Sequence, residues 1–247
     1  MQWTDDGIVL STRKHGETSS IVSVLTRDHG RHIGLVRGGS GKRARGIYQP
    51  GNTVSARWKA RLPEHLGAYD CELTKAYAAD LLNDPLCLAA LSAACAVADA
   101  ALPEREPHAP VFEGMAILLD SIHARTSWPS VFVKWELELL RELGFGLDLS
   151  RCAATGRSDG LAFVSPKSGR AVSMAAAQPY LDVLLPLPRF LLAEGRAGDR
   201  EEIQQGLKLS GYFLSRHVFA HHGNKSPQAR ERMVEWLRKS QEGSLNG

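Results

Sequence analysis

Hydrophobic and polar positions alternate with a period of two through the first part of the chain, then recur at helical spacing through most of the remainder. Five runs carry the first pattern: Gly7 to Thr12, Ser19 to Thr26, Arg31 to Val36, Thr53 to Lys59 and Leu66 to Thr74. Ile21-Val22-Ser23-Val24-Leu25-Thr26 is dense in β-branched residues, which suit a pleated, half-buried surface, and Asp28-His29-Gly30 supplies a hairpin turn into the next run. Strands this short protect their edges most economically by closing on themselves. The expectation is a five-stranded OB-type β-barrel over residues 1–80; an SH3-like barrel shares the same signature.

After Asp84-Pro85 the texture changes. Leu88, Leu91, Cys95 and Ala98 fall on one helical face, Pro103 and Pro107 mark a break, and a second helix is expected from Ala109 to about Arg125. A third begins at Trp128-Pro129-Ser130, lays Val131, Trp135, Leu139 and Leu143 along an apolar stripe, and stops at Gly144 and Gly146. Residues 147–174 are rich in Gly, Ser, Arg and Asp and read as a loop or hairpin insert. Helices resume over Glu201 to Phe219 and Gln228 to Lys239, and Ser240 to Gly247 reads as a disordered tail. The fold class is therefore α+β: a barrel, then a mostly helical domain over residues 81–240, then a tail over 241–247.

Composition narrows the function. The 247 residues contain no apolar run long enough to span a bilayer, and the N-terminus lacks a signal peptide's basic start, so a cytoplasmic protein is expected. Four scattered cysteines, Cys71, Cys87, Cys95 and Cys152, give neither a disulfide framework nor a four-thiolate site, and Cys87 and Cys95 read as small core residues. A net charge of +3 says little; its distribution says more. Between Arg27 and Arg61 stand Arg27, Arg31, Arg37, Lys42, Arg43, Arg45, Arg57, Lys59 and Arg61 against a single acid, Asp28. A local polycation collects the phosphate-neutralisation energy that dominates sequence-independent nucleic-acid binding. The candidate DNA contacts are Arg37, Lys42, Arg43 and Arg45 on a flexible Gly-rich loop and Arg31, Arg57, Lys59 and Arg61 on a barrel face, with Tyr48, Trp58 and Tyr69 available either to stack on bases or to fill the core.

Enzymatic readings of the same residues fail. A Walker A loop ending at Lys42 would need Gly at Val36 and Ser or Thr at Arg43, and a nucleophile elbow around Ser40 would need Gly at Lys42. His217 and His221, with His222 beside them, have metal-compatible spacing, but a zinc-protease motif would need Glu at Val218; a surface or helix-cap role is expected. Carboxylates near the basic segment are too few for a metal-dependent nuclease. No catalytic residue, metal or cofactor is expected. The rival to a DNA-binding protein is a scaffold whose barrel docks acidic partners.

Several blocks carry a family resemblance: Gly7-Ile8-Val9-Leu10, His15-Gly16-Glu17-Thr18, Leu25-Thr26-Arg27-Asp28-His29-Gly30 and Val36-Arg37-Gly38, then Phe132 to Leu137, Leu139 to Phe145 and Leu149-Ser150-Arg151-Cys152, and finally Leu185-Pro186-Leu187-Pro188 and Leu214-Ser215-Arg216-His217. In this order they resemble the RecO family of bacterial recombinational-repair proteins over nearly the full chain. The resemblance implies a mediator that binds single- and double-stranded DNA, anneals complementary strands and, with RecR, promotes RecA loading on DNA coated by single-strand-binding protein, SSB. The implied partners are RecR and the acidic, hydrophobic C-terminal tail of SSB, with RecF and RecA as further candidates. Lys134 and Arg141 are candidates for the rim of the tail's site, and the implied location is the cytoplasm, at the nucleoid.

One departure from the family pattern is large. Many relatives carry two C-x-x-C pairs after the third helix, whereas here Cys152 is followed by Thr155, and Ser173 and Ala176 stand where the other pair is expected. A single thiolate cannot close a tetrahedral zinc site, so the insert is expected to be a degenerate, metal-free zinc module packed around Leu161, Phe163 and Val172.

Overall fold

Alternation at the N-terminus becomes five strands, β1 (Gln2–His15), β2 (Ser19–Thr26), β3 (Gly30–Val36), β4 (Thr53–Lys59) and β5 (Ala68–Lys75), with a short helix α1 (Lys42–Ile47) between β3 and β4. The computed structural model describes residues 1–62, 64–193, 195–220 and 225–243. The strands close in the order β1-β2-β3-β5-β4, with β4 returning to β1. β1 can serve two neighbours because it is long and irregular at Val9/Ser11; its first half pairs with β4 and its second with β2. The β2–β3 turn needs Gly30, whose φ of +71° places it where a side chain would collide with the Glu106 backbone.

Val9, Val22, Val24, Val36, Val54, Ala56, Trp58, Tyr69 and Cys71 fill the barrel. Helix α1 caps one end: Ala44 and Ile47 pack on that core, Tyr48 follows them inward, and the Tyr48 hydroxyl accepts from the Cys71 N–H at 3.1 Å. The Asn52 amide then donates to the carbonyls of Gly46 and Ile47, satisfying the end of the helix. The Gly-rich loop expected to be flexible thus ends in an ordered helix. Its apolar positions at 44, 47 and 48 supply the missing reason.

The chain divides into two compact units, residues 1–125 with 227–236, and 126–226 with 237–247. In the first, α2 (Tyr77–Asp80), α3 (Pro85–Ala101) and α4 (Ala109–Ala124) accompany the barrel. Asp84 caps α3 by accepting from the Cys87 N–H, Pro85 occupies its first turn, and the small residues Ala90, Ala94, Cys95 and Ala98 let it approach β1 closely. Cys95 Sγ lies 3.6 Å from the Val9 carbonyl, and Ser23 Oγ donates to Asp99 at 2.6 Å. The boundary between the units therefore falls after residue 125, although the sequence texture changes near 80.

The second unit is built on α5 (Trp128–Glu142), which buries Phe132, Val133, Trp135, Leu139 and Leu140. Its buried Glu136 accepts from Ser210 Oγ at 2.6 Å. The insert is more ordered than a loop: β6 (Leu161–Val164), β7 (Ala171–Ser173) and β8 (Leu185–Pro186) form a sheet in the order β7-β6-β8, with the short helix α6 (Met174–Ala177) after β7. The expected boundary at residue 174 thus falls inside a structure that continues to β8. Helix α7 (Arg200–Phe213) begins with an Asp199/Glu202 capping box and runs on as π-helix over Leu214–Phe219. Helix α8 (Gln228–Gly243) extends through residues 240–243, in place of the expected tail there; the rest of that expected tail, 244–247, lies outside the described residues. Among the described residues, no helix is long and apolar enough to cross a membrane.

Candidate nucleic-acid interface

The basic segment does not form one continuous face. Helix α1 turns Ala44 and Ile47 toward the barrel, which leaves Lys42, Arg43 and Arg45 exposed on its outer side. Arg37, Lys59 and Arg61 come together on the flank, lining an open cleft of about 660 Å³ with Ala60, Ala68, Tyr69 and Asp70. The cleft exists because β3 and β5 part almost at once, sharing the single register pair Leu35↔Ala68. Among the described residues, none of these six cations lies within ion-pair distance of a carboxylate.

Two of the expected contacts are placed elsewhere. Arg31 is largely buried, donating through Nε to the Leu102 carbonyl at 2.8 Å and lying 3.4 Å from Asp99 and 3.8 Å from Glu104. It joins β3 to α3 and presents no free charge. Arg57 stays on the outer surface of β4, but β5 sets Asp70 and Glu72 against it at 3.6 and 4.0 Å. These two acids follow the basic segment in sequence, so counting charges from Arg27 to Arg61 leaves them out.

The aromatic side chains resolve in favour of the core. Trp58 has no exposure, and Tyr48 and Tyr69 have 5% each, so none offers a face to a base. The more accessible ring is His29, stacked on Trp3 at 4.2 Å, with Nδ1 held 2.9 Å from the buried Asp5 carboxylate. Beneath it His32 packs edge-on to Trp3 and Trp58; burial first, then the positive Arg105 and then His29, lower its pKa from 6.5 to about 4.

Arg13 and Lys14 join the basic surface although sequence reasoning does not single them out. They are exposed at the end of β1, opposite Ile21 and Ser20, and the β1–β2 connection meets the basic loop through the Ser40 N–H to the Thr18 carbonyl at 3.0 Å. Their signal is a basic pair just before the His15-Gly16 turn, upstream of the Arg27 to Arg61 segment.

On the second unit, Lys134 Nζ sits 5.9 Å from the centre of the Phe190 ring, whereas Arg141 is engaged by Glu138 and Glu142 on its own helix. His217 lies in the last turn of the π-helical segment and stacks between Phe145 and Phe213; His221 and His222 lie outside the described residues.

The positions where the family resemblance places zinc ligands do not fit the ion here. Cys152 Sγ receives the Ser173 N–H at 3.3 Å and lies 3.5 Å from Ser173 Oγ, while Ala176 packs against the same cluster. Hydrogen bonds from Ser173 and then Thr155 lower the thiol's pKa to about 6, although its residue is fully buried. One thiol, two hydroxyls and a methyl group cannot supply four zinc donors of the usual kind. Among the described residues, no group of three or more His, Cys, Asp or Glu side chains gathers in a metal-holding arrangement.

Comparison with known proteins decides the family. The profile described as Recombination protein O N terminal matches residues 1–77, and that described as Recombination protein O C terminal matches residues 82–226. The chain belongs to the RecO family. It is 54% identical over 242 residues to the DNA repair protein RecO of Rhodospirillum centenum, covering 97% of this chain and 96% of that one. It is 49% identical over 238 residues to the RecO protein of Cereibacter sphaeroides, covering 96% and 99%, and 49% identical over 245 residues to that of Rhodospirillum rubrum, covering 97% of each. The two RecO profiles divide the chain where its sequence texture changes, between residues 77 and 82, and not at the compact-unit boundary after residue 125.

Proposed function

We propose that this RecO-family chain is a DNA repair mediator that binds single- and double-stranded DNA through residues 1–80, as an OB-type barrel, and anneals complementary strands without catalysing a reaction. The observation that carries this reading is the pairing of cations around α1 and the seam cleft, none within ion-pair distance of a carboxylate among the described residues, with aromatic residues that are sealed in the core. Such a surface takes hold of phosphates and leaves bases unstacked. Annealing needs both properties, because repulsion between strands must fall while the base edges remain open for pairing. Arg37, Lys42, Arg43, Arg45, Lys59 and Arg61 are the proposed contacts, with Arg13 and Lys14 added; Arg31 and Arg57 leave the set because carboxylates already engage them.

The same reading extends to partners. With RecR, the chain would promote RecA loading on SSB-coated DNA, with RecF as a further partner, in the cytoplasm at the nucleoid. The helical segment over residues 81–240 would receive the acidic, hydrophobic tail of SSB. Lys134 remains a candidate for that contact, and a notch of about 220 Å³ between α3 and α8, with Leu88 and Trp236 as apolar walls and Arg232 beside them, has the chemistry such a peptide requires. The insert over 147–174 would hold its hairpin without metal, and no cofactor enters the mechanism.

Binding of a labelled single strand across a salt series, with annealing of its complement followed in the same samples and neither nucleotide nor metal added, tests this. Salt-sensitive binding with accelerated annealing is the expected result. Absence of binding at low salt would leave a scaffold that docks acidic proteins as the better account.

A further inference from the structure

We propose that Arg105, in the linker between α3 and α4, is a positioning residue for the DNA interface: it fixes the β4–β5 loop that carries Arg61 to the seam cleft. The inference rests on the DNA-binding reading above, but its structural half can be tested without DNA.

The loop leaves β4 after Lys59 and returns at Ala68, and its far end is anchored by the barrel. Trp58 Nε1 donates to the Leu66 carbonyl at 3.3 Å, and the Leu35 N–H donates to the Gly67 carbonyl at 3.0 Å. Gly67 has a φ of +65°, and a Cβ there would come within 2.3 Å of the Trp58 ring. The middle of the loop depends on a different tether. Arg105 Nη2 donates to the carbonyls of both Glu64 and His65, each at 3.1 Å.

Arg105 is itself held for this task. Its N–H donates to the Arg31 carbonyl at 2.8 Å, and it keeps a φ of +65°, a conformation that non-glycine residues rarely adopt. Its Nε has no partner among the described residues, and its charge meets no carboxylate among them. The guanidinium is therefore committed to loop carbonyls and not to an ion pair. Arg61, at the start of this loop, supplies one of the three cations of the cleft, so the conformation that Arg105 imposes decides where that charge stands.

The test combines amide hydrogen exchange with a double-mutant cycle on the full chain. Arg105→Ala is expected to speed exchange in the described residues of the loop, 61–62 and 64–67, while β1 and β2 remain protected. It should weaken binding of a labelled oligothymidylate about three- to ten-fold, and the salt slope should fall by about 0.7, as for loss of one phosphate contact. The double variant Arg61→Ala/Arg105→Ala should bind no more weakly than Arg61→Ala alone, because both changes remove the same contact. Arg105→Lys keeps the charge without the planar fork, so its affinity should follow its loop protection and not its charge. Unchanged loop exchange in Arg105→Ala, or additive effects of the two alanine changes, would overturn the proposal. If Arg61→Ala alone leaves DNA binding intact, the assignment of Arg61 to DNA fails, while accelerated loop exchange would still establish the tether.

Discussion

Arg57 and Asp70 face each other across the β4–β5 ladder, with Nη1 and Oδ2 3.6 Å apart. Glu72 approaches the same guanidinium at 4.0 Å, so two carboxylates stand against this one cation. Arg57→Ala should therefore change single-strand affinity by no more than about two-fold, since the two carboxylates beside it already offset its charge toward a phosphate. Lys59→Ala should weaken binding several-fold and lower the salt slope by about 0.7. Asp70→Asn should strengthen binding, because it removes the carboxylate that lines the cleft. Fluorescence anisotropy across a salt series checks all three.

Reversing the four cations Arg37, Lys42, Arg43 and Arg45 to Glu should abolish detectable DNA binding and annealing together. All four are exposed, and α1 contacts the core through Ala44 and Ile47, so circular dichroism and the thermal midpoint should be nearly unchanged. Loss of the fold instead would show that the outer face of α1 contributes to stability.

How much of this is legible in the sequence follows from where each cause lies. The strands are readable because the barrel alternation is local, and the same alternation, continued through Val54, Ala56 and Trp58, already places Trp58 inside. Helix α1 is obscured by the glycines before it, although Ala44, Ile47 and Tyr48 mark its inner face. The fates of Arg31 and Arg57 are not local. The first depends on Asp99, 68 residues away, and the second on the register that sets Asp70 opposite it. Charge counted along the chain cannot show which cations a distant carboxylate will claim.

Trp58→Ala should act on stability, not on stacking. Removing an unexposed indole from the barrel is expected to cost about 3 to 5 kcal/mol, read from urea unfolding. Under conditions where the variant remains folded, its oligonucleotide affinity should match the parent. A selective loss of affinity with unchanged stability would place the indole against a base.

His32 gives the barrel a dependence on pH. Its imidazole is 6% exposed and its pKa is lowered from 6.5 to about 4. Above 6.5 the ring is neutral in both states and its contribution is complete. As pH falls toward 4 the unfolded chain takes up a proton that the native ring refuses, so stability falls, by up to about 3 kcal/mol from this group. Below about 4 the loss levels off. Urea midpoints measured across this window should fall less steeply for His32→Phe than for the parent.

The hydrogen-bonded cluster at Cys152 predicts indifference to chelators. The unfolding midpoint should be the same before and after dialysis against a strong zinc chelator, and elemental analysis should find no stoichiometric zinc. A lower midpoint after dialysis would mean that the cluster of Cys152, Thr155 and Ser173 is completed by metal in solution.

The two sides of α1 meet unequal physical demands. Positions 44, 47 and 48 answer to the shape of the barrel mouth, where a change of volume is felt at once, whereas 42, 43 and 45 are exposed and can change volume at little cost to the packing. Lysine and arginine can exchange at those three positions without disturbing the strands beneath. The helix is thus a two-sided part: under the proposed function, substitutions at 42, 43 and 45 would tune the grip on a polyanion while 44 and 47 keep the barrel mouth as it is.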